Sequence, residues 1–291
     1  MTGKLPKKLN IISKQWYTNC TMSITFGDRA ENHVGMQMIG ELASEGFTFS
    51  ELISAKTKFE LKGCDTELIE LHPNIPISSI SNTSSPKDYI QKEGLKAWIL
   101  IVRNGVNVLN PKNNPTELYH EQDLLSIDKK AKMRGKVVNK HARWNLCYGE
   151  TSQEPNYESG KGRVVAFLDV PILNEIRNNM SEFIGHKANK LQAELNKYYD
   201  VNKCGIGFHG DSERKIVACA RIGASLDLHY QWFFEGKPIG DRIKLKLNHG
   251  DFYVMSEKAT GFDWKHRKIP TLRHAAGCKK YLTIKGMDLT N

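Results

Sequence analysis

The chain has 291 residues, of which 40% are hydrophobic and 25% charged, so it can bury a substantial core in one large domain or two smaller ones. Its formal net charge of +10 favours a polyanionic partner such as nucleic acid. No apolar run approaches the roughly 20 residues that cross a bilayer, and the basic N-terminus lacks an apolar signal segment. Six dispersed cysteines without a Cys-x-x-Cys pair indicate a reducing compartment. We expect a monomeric intracellular protein, cytoplasmic or nuclear, without membrane association.

Residues 1–125 are predicted to form a smaller α+β module of their own. The run from Thr48 to Glu51 has the spacing of a capping box, which predicts the start of a helix. Downstream, two apolar runs at 98–102 and 106–109 flank an Asn-Gly pair. That pattern is typical of a β-hairpin, because both turn positions need positive φ. No motif in this half carries chemistry, so its role stays open between a structural one and holding the substrate.

Residues 126–143 are rich in basic side chains, and Asp128 is their single acid. A solvated helix or linker is one interpretation of such a run. The other is a strip that contacts nucleic-acid phosphates at the entrance to a second domain. The basic residues are Lys129, Lys130, Lys132, Arg134, Lys136, Lys140 and Arg143.

Residues 126–291 are predicted to form the second domain, in which a helix is followed by a series of short strands. A helix is expected at 171–184, because Pro171 suits its first turn and Gly185 its end. Strands are expected at 191–199, 216–222, 228–234, 242–247, 251–255 and 280–284. Short strands at regular spacing indicate a sandwich or barrel, and a double-stranded β-helix (jelly roll) also accommodates an internal metal site.

The stretch around His209-Gly210-Asp211 is the strongest candidate for chemistry. In an extended chain these two side chains point to the same face. An imidazole and a carboxylate on one strand face, completed by a distant histidine, form the 2-His-1-carboxylate triad of non-haem Fe(II) oxygenases. His266, within Trp-Lys-His, is the predicted third ligand, with His249 and His274 as rivals. A polar surface turn is the alternative interpretation.

Together these segments resemble the AlkB family of Fe(II)/2-oxoglutarate-dependent nucleic-acid dioxygenases, over roughly residues 137–284. The order of the segments carries the resemblance, since each is weakly specific alone. They read ARWNLCYGE at 142–150, LNKY at 195–198, GFHGDSE at 207–213, NHGD at 248–251, WKH at 264–266 and RHAAGCK at 273–279.

The resemblance implies a binding set for Fe(II) and for the co-substrate 2-oxoglutarate. The iron ligands would be His209, Asp211 and His266. The keto acid would be held by the side chains of Asn196, Tyr198, Arg273 and Lys279. Lys279 replaces an arginine of the family, so a compact ammonium charge takes the place of a planar guanidinium with two parallel donors.

The resemblance also implies substrate contacts and an activity. Glu213 holds the place of an acid that meets the amino edge of an extruded base, although an ion pair with Arg214 or Lys215 is an alternative. Tyr148, Tyr157 and Arg143 would be further contacts, and the loop at 151–162 would be a nucleotide-recognition lid. The implied reaction is hydroxylation or oxidative demethylation of a DNA or RNA base, in repair or modification. Two alternatives stay open: a hydroxylase of a protein side chain or small molecule, and a non-catalytic nucleic-acid-binding module.

Overall fold

A computed structural model describes residues 19–74 and 95–284, and within these ranges the chain has an α+β fold with 16 strands and six α-helices. The strands are β1 (Thr21–Gly27), β2 (Arg29–Glu31), β3 (Met38–Gly40), β4 (Thr66–Glu70), β5 (Trp98–Val102), β6 (Lys130–Met133), β7 (Lys136–Asn139), β8 (Trp144–Gly149), β9 (Val164–Ala166), β10 (Gln192–Tyr198), β11 (Gly205–His209), β12 (Val217–Gly223), β13 (Leu228–Phe234), β14 (Lys237–Leu245), β15 (Phe252–Met255) and β16 (Thr271–Gly277). The helices are α1 (Phe49–Leu61), α2 (Gly105–Leu109), α3 (Pro115–Asp123), α4 (Pro171–Ile184), α5 (Glu257–Thr260) and α6 (Lys279–Leu282). No helix in the described ranges is both long and apolar enough to cross a membrane.

Two sheets carry most of the strands. The larger sheet has the order β4-β5-β15-β12-β1-β10-β8-β9, with antiparallel pairing except between β8 and β9. The smaller sheet has the order β11-β16-β13-β14 and is antiparallel throughout. Buried side chains of both sheets, such as Tyr253 of the larger and Trp232 of the smaller, share one apolar cluster. The two sheets therefore pack face to face, while α1 and α4 cover the other face of the larger sheet.

Side-chain alternation along the larger sheet decides where its interior is apolar and where it is polar. On β1, Met22 and Ile24 point into the helix-side core, whereas Ser23 and Thr25 point between the sheets. The inner face of β10 is polar as well, but the inner faces of β5 and β15 are apolar. At the apolar end, side chains of the two sheets pack directly against each other. The polar end leaves a cavity between the sheets, which contains the candidate site.

The described residues of the N-terminal part, 19–74 and 95–125, do not form a separate module. The central strand β1 lies between β10 and β12 in the larger sheet. Strand β5 pairs with β15, so it too joins strands from the second predicted domain. The predicted division at residue 125 therefore needs correction, because the described residues on both sides of it build one sheet and one core.

Several local predictions are confirmed. The helix at 171–184 forms with the predicted bounds, and strands occur at five of the predicted positions in the second half. The capping box of α1 is complete, because the Glu51 amide donates to Thr48 Oγ1 and the Thr48 amide donates to Glu51 Oε2. These signals are short-range, so the surrounding fold does not override them.

Three local predictions are wrong. Asn104 does adopt a positive φ of 53°, but the chain then enters α2 instead of a second strand. Val106 and Leu109 are buried there against the core, and β5 finds its partners in β4 and β15. Residues 279–282 are helical where a strand was expected. The basic stretch is a β-hairpin of β6 and β7, neither a helix nor a linker.

Candidate metal centre and its cavity

Strand pairing brings two imidazoles and one carboxylate together. β11 pairs with β16, and this register places His209 opposite His274 with ring centroids 4.5 Å apart. Asp211 follows β11 directly, and its Oδ1 lies 3.5 Å from Nε2 of each histidine. One ligand atom from each residue lies within 4.8 Å of the others. Two histidines and one carboxylate are a donor set suited to non-haem Fe(II).

Backbone contacts hold this set in place. Nδ1 of His209 lies 2.8 Å from the carbonyl oxygen of Gly207, so it donates there and Nε2 presents its lone pair. The amide of Asp211 donates to the carbonyl of Thr260, 2.9 Å away. Gly210 permits this approach, because a Cβ there would lie 2.1 Å from the carbonyl oxygen of Gly261. The turn after β11 is thereby fixed against α5.

The electrostatics of the site favour the ligand forms of His209 and Asp211. Burial, with the neighbouring His274, lowers the pKa of His209 to about 3 and keeps its imidazole neutral. Burial opposes ionisation of Asp211, but His274 and Arg214 outweigh it and hold the pKa of the carboxyl below its usual value. Neutral imidazole and ionised carboxylate are the forms that bind a metal cation.

The structure corrects the predicted third member of the set. His266 is exposed in the turn between α5 and β16, where its amide donates to the carbonyl of Asp263. Trp264 and Lys265 of the same motif do line the cavity. The rival candidate His274 completes the set instead, because only a residue on the strand paired with β11 meets His209 across the sheet.

The other rival, His249, serves the fold. Its Nδ1 accepts a hydrogen bond from the Gly223 amide at 2.9 Å, and its Nε2 lies 3.3 Å from Thr116 Oγ1. Both ring nitrogens are thereby engaged at the junction of the larger sheet and α3, away from the His209 and Asp211 pair.

The cavity beside the metal set has a volume of about 830 Å³. It is lined by four residues that the sequence indicated for co-substrate or substrate: Arg143, Asn196, Tyr198 and Glu213. Asn196 and Tyr198 lie on one face of β10, and both reach the cavity.

A hydrogen-bonded network fixes the polar wall of the cavity. Arg143 Nε donates to Asn196 Oδ1 at 2.5 Å, and Asn196 Nδ2 donates to Glu194 at 3.0 Å. Arg214 Nη2 then bridges Glu194 at 2.6 Å and Glu213 at 2.8 Å. The ion pair expected as the alternative for Glu213 is thus present, and the same carboxylate also faces the cavity.

Two predicted co-substrate residues lie elsewhere. Arg273 precedes His274 on β16 and so points to the opposite face of the strand. Its guanidinium lies over the ring of Phe233, 4.0 Å from the centroid, and 5.1 Å from that of Trp264. Lys279 is exposed on α6. Both assignments are therefore corrected, since neither side chain borders the cavity that the structure describes.

Two predicted substrate contacts also lie elsewhere. Tyr148 is buried in the helix-side core, where its hydroxyl donates to Gln122. The Tyr157 hydroxyl donates to Asp128 at 2.7 Å. The predicted lid at 151–162 packs behind the β2–β3 hairpin, and Gln37 donates to the Gly160 carbonyl. That hairpin, through residues 31–35, is the segment that borders the cavity.

Sequence reasoning missed Arg221. This residue lies on β12, is 1% exposed and lines the cavity. Its Nε and Nη1 have no hydrogen-bond partner among the described residues. A signal was present, because arginine interrupts an otherwise small and apolar strand, VACARIG. A charge in a strand buried on both faces indicates a special environment.

No family model matches the chain. It is 48% identical over 262 residues to "Uncharacterized protein R156" of Acanthamoeba polyphaga mimivirus, an alignment that covers 90% of this chain and 97% of that protein. The chain belongs to the family of this mimivirus protein. The extent of the alignment implies a shared fold over nearly the whole length of both proteins. The name of this viral relative states no activity, so the function has to be argued from the site.

Proposed function

We propose that the chain is an Fe(II)/2-oxoglutarate-dependent dioxygenase that hydroxylates or oxidatively demethylates a nucleic-acid base. The observation that carries this proposal is the convergence of His209, Asp211 and His274 at the wall of a cavity large enough for a small-molecule ligand. The two facing, mainly antiparallel sheets are further assigned to a jelly roll, with both histidines of the metal set on the smaller sheet.

The residues present fit an iron ion. Three protein ligands of the 2-His-1-carboxylate type leave coordination positions for a keto acid and O₂. When bound, the metal with these co-substrates supplies the oxidising power for hydroxylation of a C–H bond. The His209 contact to Gly207 fixes the ring orientation, and Asp211 is itself buried.

Polar groups of the cavity suit a base that carries amino groups. Glu213 and Glu31 both line the cavity, and carboxylate oxygens accept hydrogen bonds from exocyclic amines. Arg214 keeps Glu213 in place through a 2.8 Å ion pair. The Glu31 carboxylate is held at the start of the β2–β3 connection by the Gly35 amide, at 2.8 Å.

A basic surface beside the cavity supports a nucleic-acid substrate. The β6–β7 hairpin carries exposed cations, and Lys140 at its end donates to Asn32 Oδ1 at 2.6 Å. Asn32 itself lines the cavity, so the hairpin lies next to the cavity wall. Phosphates that track this hairpin would place a flipped base near the metal set. The exposed cations are Lys129, Lys130, Arg134 and Lys136.

The test is turnover of the full chain with Fe(II), 2-oxoglutarate and O₂. Succinate formation together with formaldehyde release from N-methylated oligonucleotides is the expected result, and it should be lost in His274→Ala. Succinate formation without any change in the oligonucleotides would support instead a protein or small-molecule hydroxylase. Absence of succinate at saturating iron would contradict the dioxygenase proposal.

A further inference from the structure

Arg221 belongs to a polar row that crosses the floor of the cavity. The strand registers place Asn145, Asn196, Ser23 and Arg221 opposite one another across β8, β10, β1 and β12. The first two are joined by a hydrogen bond of 2.6 Å from Asn145 Nδ2 to Asn196 Oδ1. At the other end of the row, Arg221 has two nitrogens without a partner among the described residues.

Three other arginines line the cavity, and two of them have side-chain partners, while Arg29 has an Nε that is unpartnered within the described ranges. Arg214 forms ion pairs with Glu194 and Glu213, and Arg143 donates to Asn196. No ion pair to Arg221 occurs within the described part of the chain, although its side chain is nearly as inaccessible as the apolar core. A buried guanidinium without an anion is costly, and a ligand that supplies the anion removes that cost.

We infer that Arg221 binds the carboxylate of 2-oxoglutarate that is remote from the metal, with Ser23 beside it as a hydrogen-bond donor. This inference rests on the proposed function. Arginine binds a carboxylate through a planar fork of two donors, either Nε with Nη2 or Nη1 with Nη2, and each of these edges holds one of the unpartnered nitrogens of Arg221.

The placement of the two groups supports this role. The metal set lies on the smaller sheet and Arg221 on the larger, and both line the same cavity. Facing sheets lie about 10 Å apart, so a short dicarboxylate with one end at the metal set meets the opposite sheet with its other end. Arg273 cannot take this part, because its guanidinium is stacked on Phe233 outside the cavity.

The experiment compares two keto acids on the full chain loaded with Mn(II), which binds without turnover. 2-Oxopentanoate has the chain length of 2-oxoglutarate but a methyl group in place of the second carboxylate. Dissociation constants for both are measured by calorimetry in the wild type, Arg221→Gln, Arg221→Lys and the control Arg273→Gln. The wild type should prefer 2-oxoglutarate.

Arg221→Gln should weaken 2-oxoglutarate binding by about ten- to a hundredfold and leave 2-oxopentanoate binding unchanged. Arg221→Lys should retain part of the preference, because it keeps the charge without the fork. Arg273→Gln should match the wild type for both ligands. If Arg221→Gln keeps the wild-type preference, or if Arg273→Gln loses it, the inference is overturned.

Three wild-type outcomes keep the test independent of how the variants fold. Equal affinity for the two keto acids in the wild type would overturn the inference and leave the metal site and the proposed function standing. Binding of Mn(II) with no binding of either keto acid would overturn both. Failure to bind Mn(II) would point to the metal set itself and would contradict the proposed function at its base.

Discussion

Because the guanidinium of Arg221 has nitrogens without partners in the described part of the chain, replacing it by an apolar side chain should raise the stability of the protein. Nε and Nη1 are buried without partners, and each unsatisfied buried donor costs about 1–3 kcal/mol. Methionine fills a similar volume without polar atoms. Arg221→Met should therefore raise the free energy of unfolding of the ligand-free protein by about 1–3 kcal/mol. At this chain length, the melting temperature should rise by roughly 2 °C per kcal/mol.

Arg177 provides the matched control, because it is also buried but has hydrogen-bond partners for two of its nitrogens. Its Nε donates to the Leu191 carbonyl at 2.6 Å and its Nη2 to Glu150 at 2.5 Å. Arg177→Met should therefore lower the free energy of unfolding by about 1.5–3 kcal/mol. The assay is urea denaturation of both variants without ligand. If Arg221→Met destabilises the chain as much as Arg177→Met does, Arg221 supports the fold and the reasoning fails.

Three further predictions concern the rim of the site. Burial raises the pKa of Glu31 from 4.5 to about 7, so the folded state holds a proton that the unfolded chain releases between these values, and stability falls as pH rises through that window. Glu31→Gln should remove about 1 kcal/mol of this loss of stability. The check is the urea midpoint of both proteins at about pH 5 and pH 8, and an identical pH dependence in the two would contradict the prediction. Gly210→Ala should destabilise the chain by about 1–3 kcal/mol and weaken metal binding, because the new Cβ would clash with the carbonyl oxygen of Gly261. A metal affinity equal to that of the wild type would contradict this prediction. In the β6–β7 hairpin, loss of each phosphate contact should flatten the log–log salt dependence of oligonucleotide binding by about 0.7–0.9, and an unchanged slope would make this a plain solvated surface. The variant for that test replaces with Gln the exposed cations Lys129, Lys130, Arg134 and Lys136.

Much of the site was predictable where the signal is local. His209 and Asp211 were predicted to point the same way because side chains alternate along an extended backbone, and the structure places His209 Nε2 3.5 Å from Asp211 Oδ1. Asn196 and Tyr198 reach the cavity for the same reason. The helix α4 follows from an N-terminal proline, a C-terminal glycine and an amphipathic face.

The remainder depended on which strands pair, and periodicity does not reveal that. His266 satisfied a local spacing pattern, but cross-strand pairing selected His274. The same pairing turns Arg273 away from the cavity, since neighbouring residues on a strand point to opposite faces. The boundary at residue 125 failed because β1 inserts between two strands from far along the chain. Asn104 adopted the predicted positive φ, yet the burial of Val106 and Leu109 favoured a helix over a hairpin.

The most direct test of the central claim is metal affinity in two histidine variants. Orienting groups around a metal ligand are worth about 10–100-fold in affinity, so loss of a ligand should cost more than about a hundredfold. Mn(II) binding, followed by electron paramagnetic resonance of the full chain, should be lost in His274→Ala and retained in His266→Ala. Both variants should unfold cooperatively in urea, which separates loss of metal from loss of fold. Retained binding in His274→Ala, or lost binding in His266→Ala, would contradict the assignment of His209, Asp211 and His274 as the metal centre.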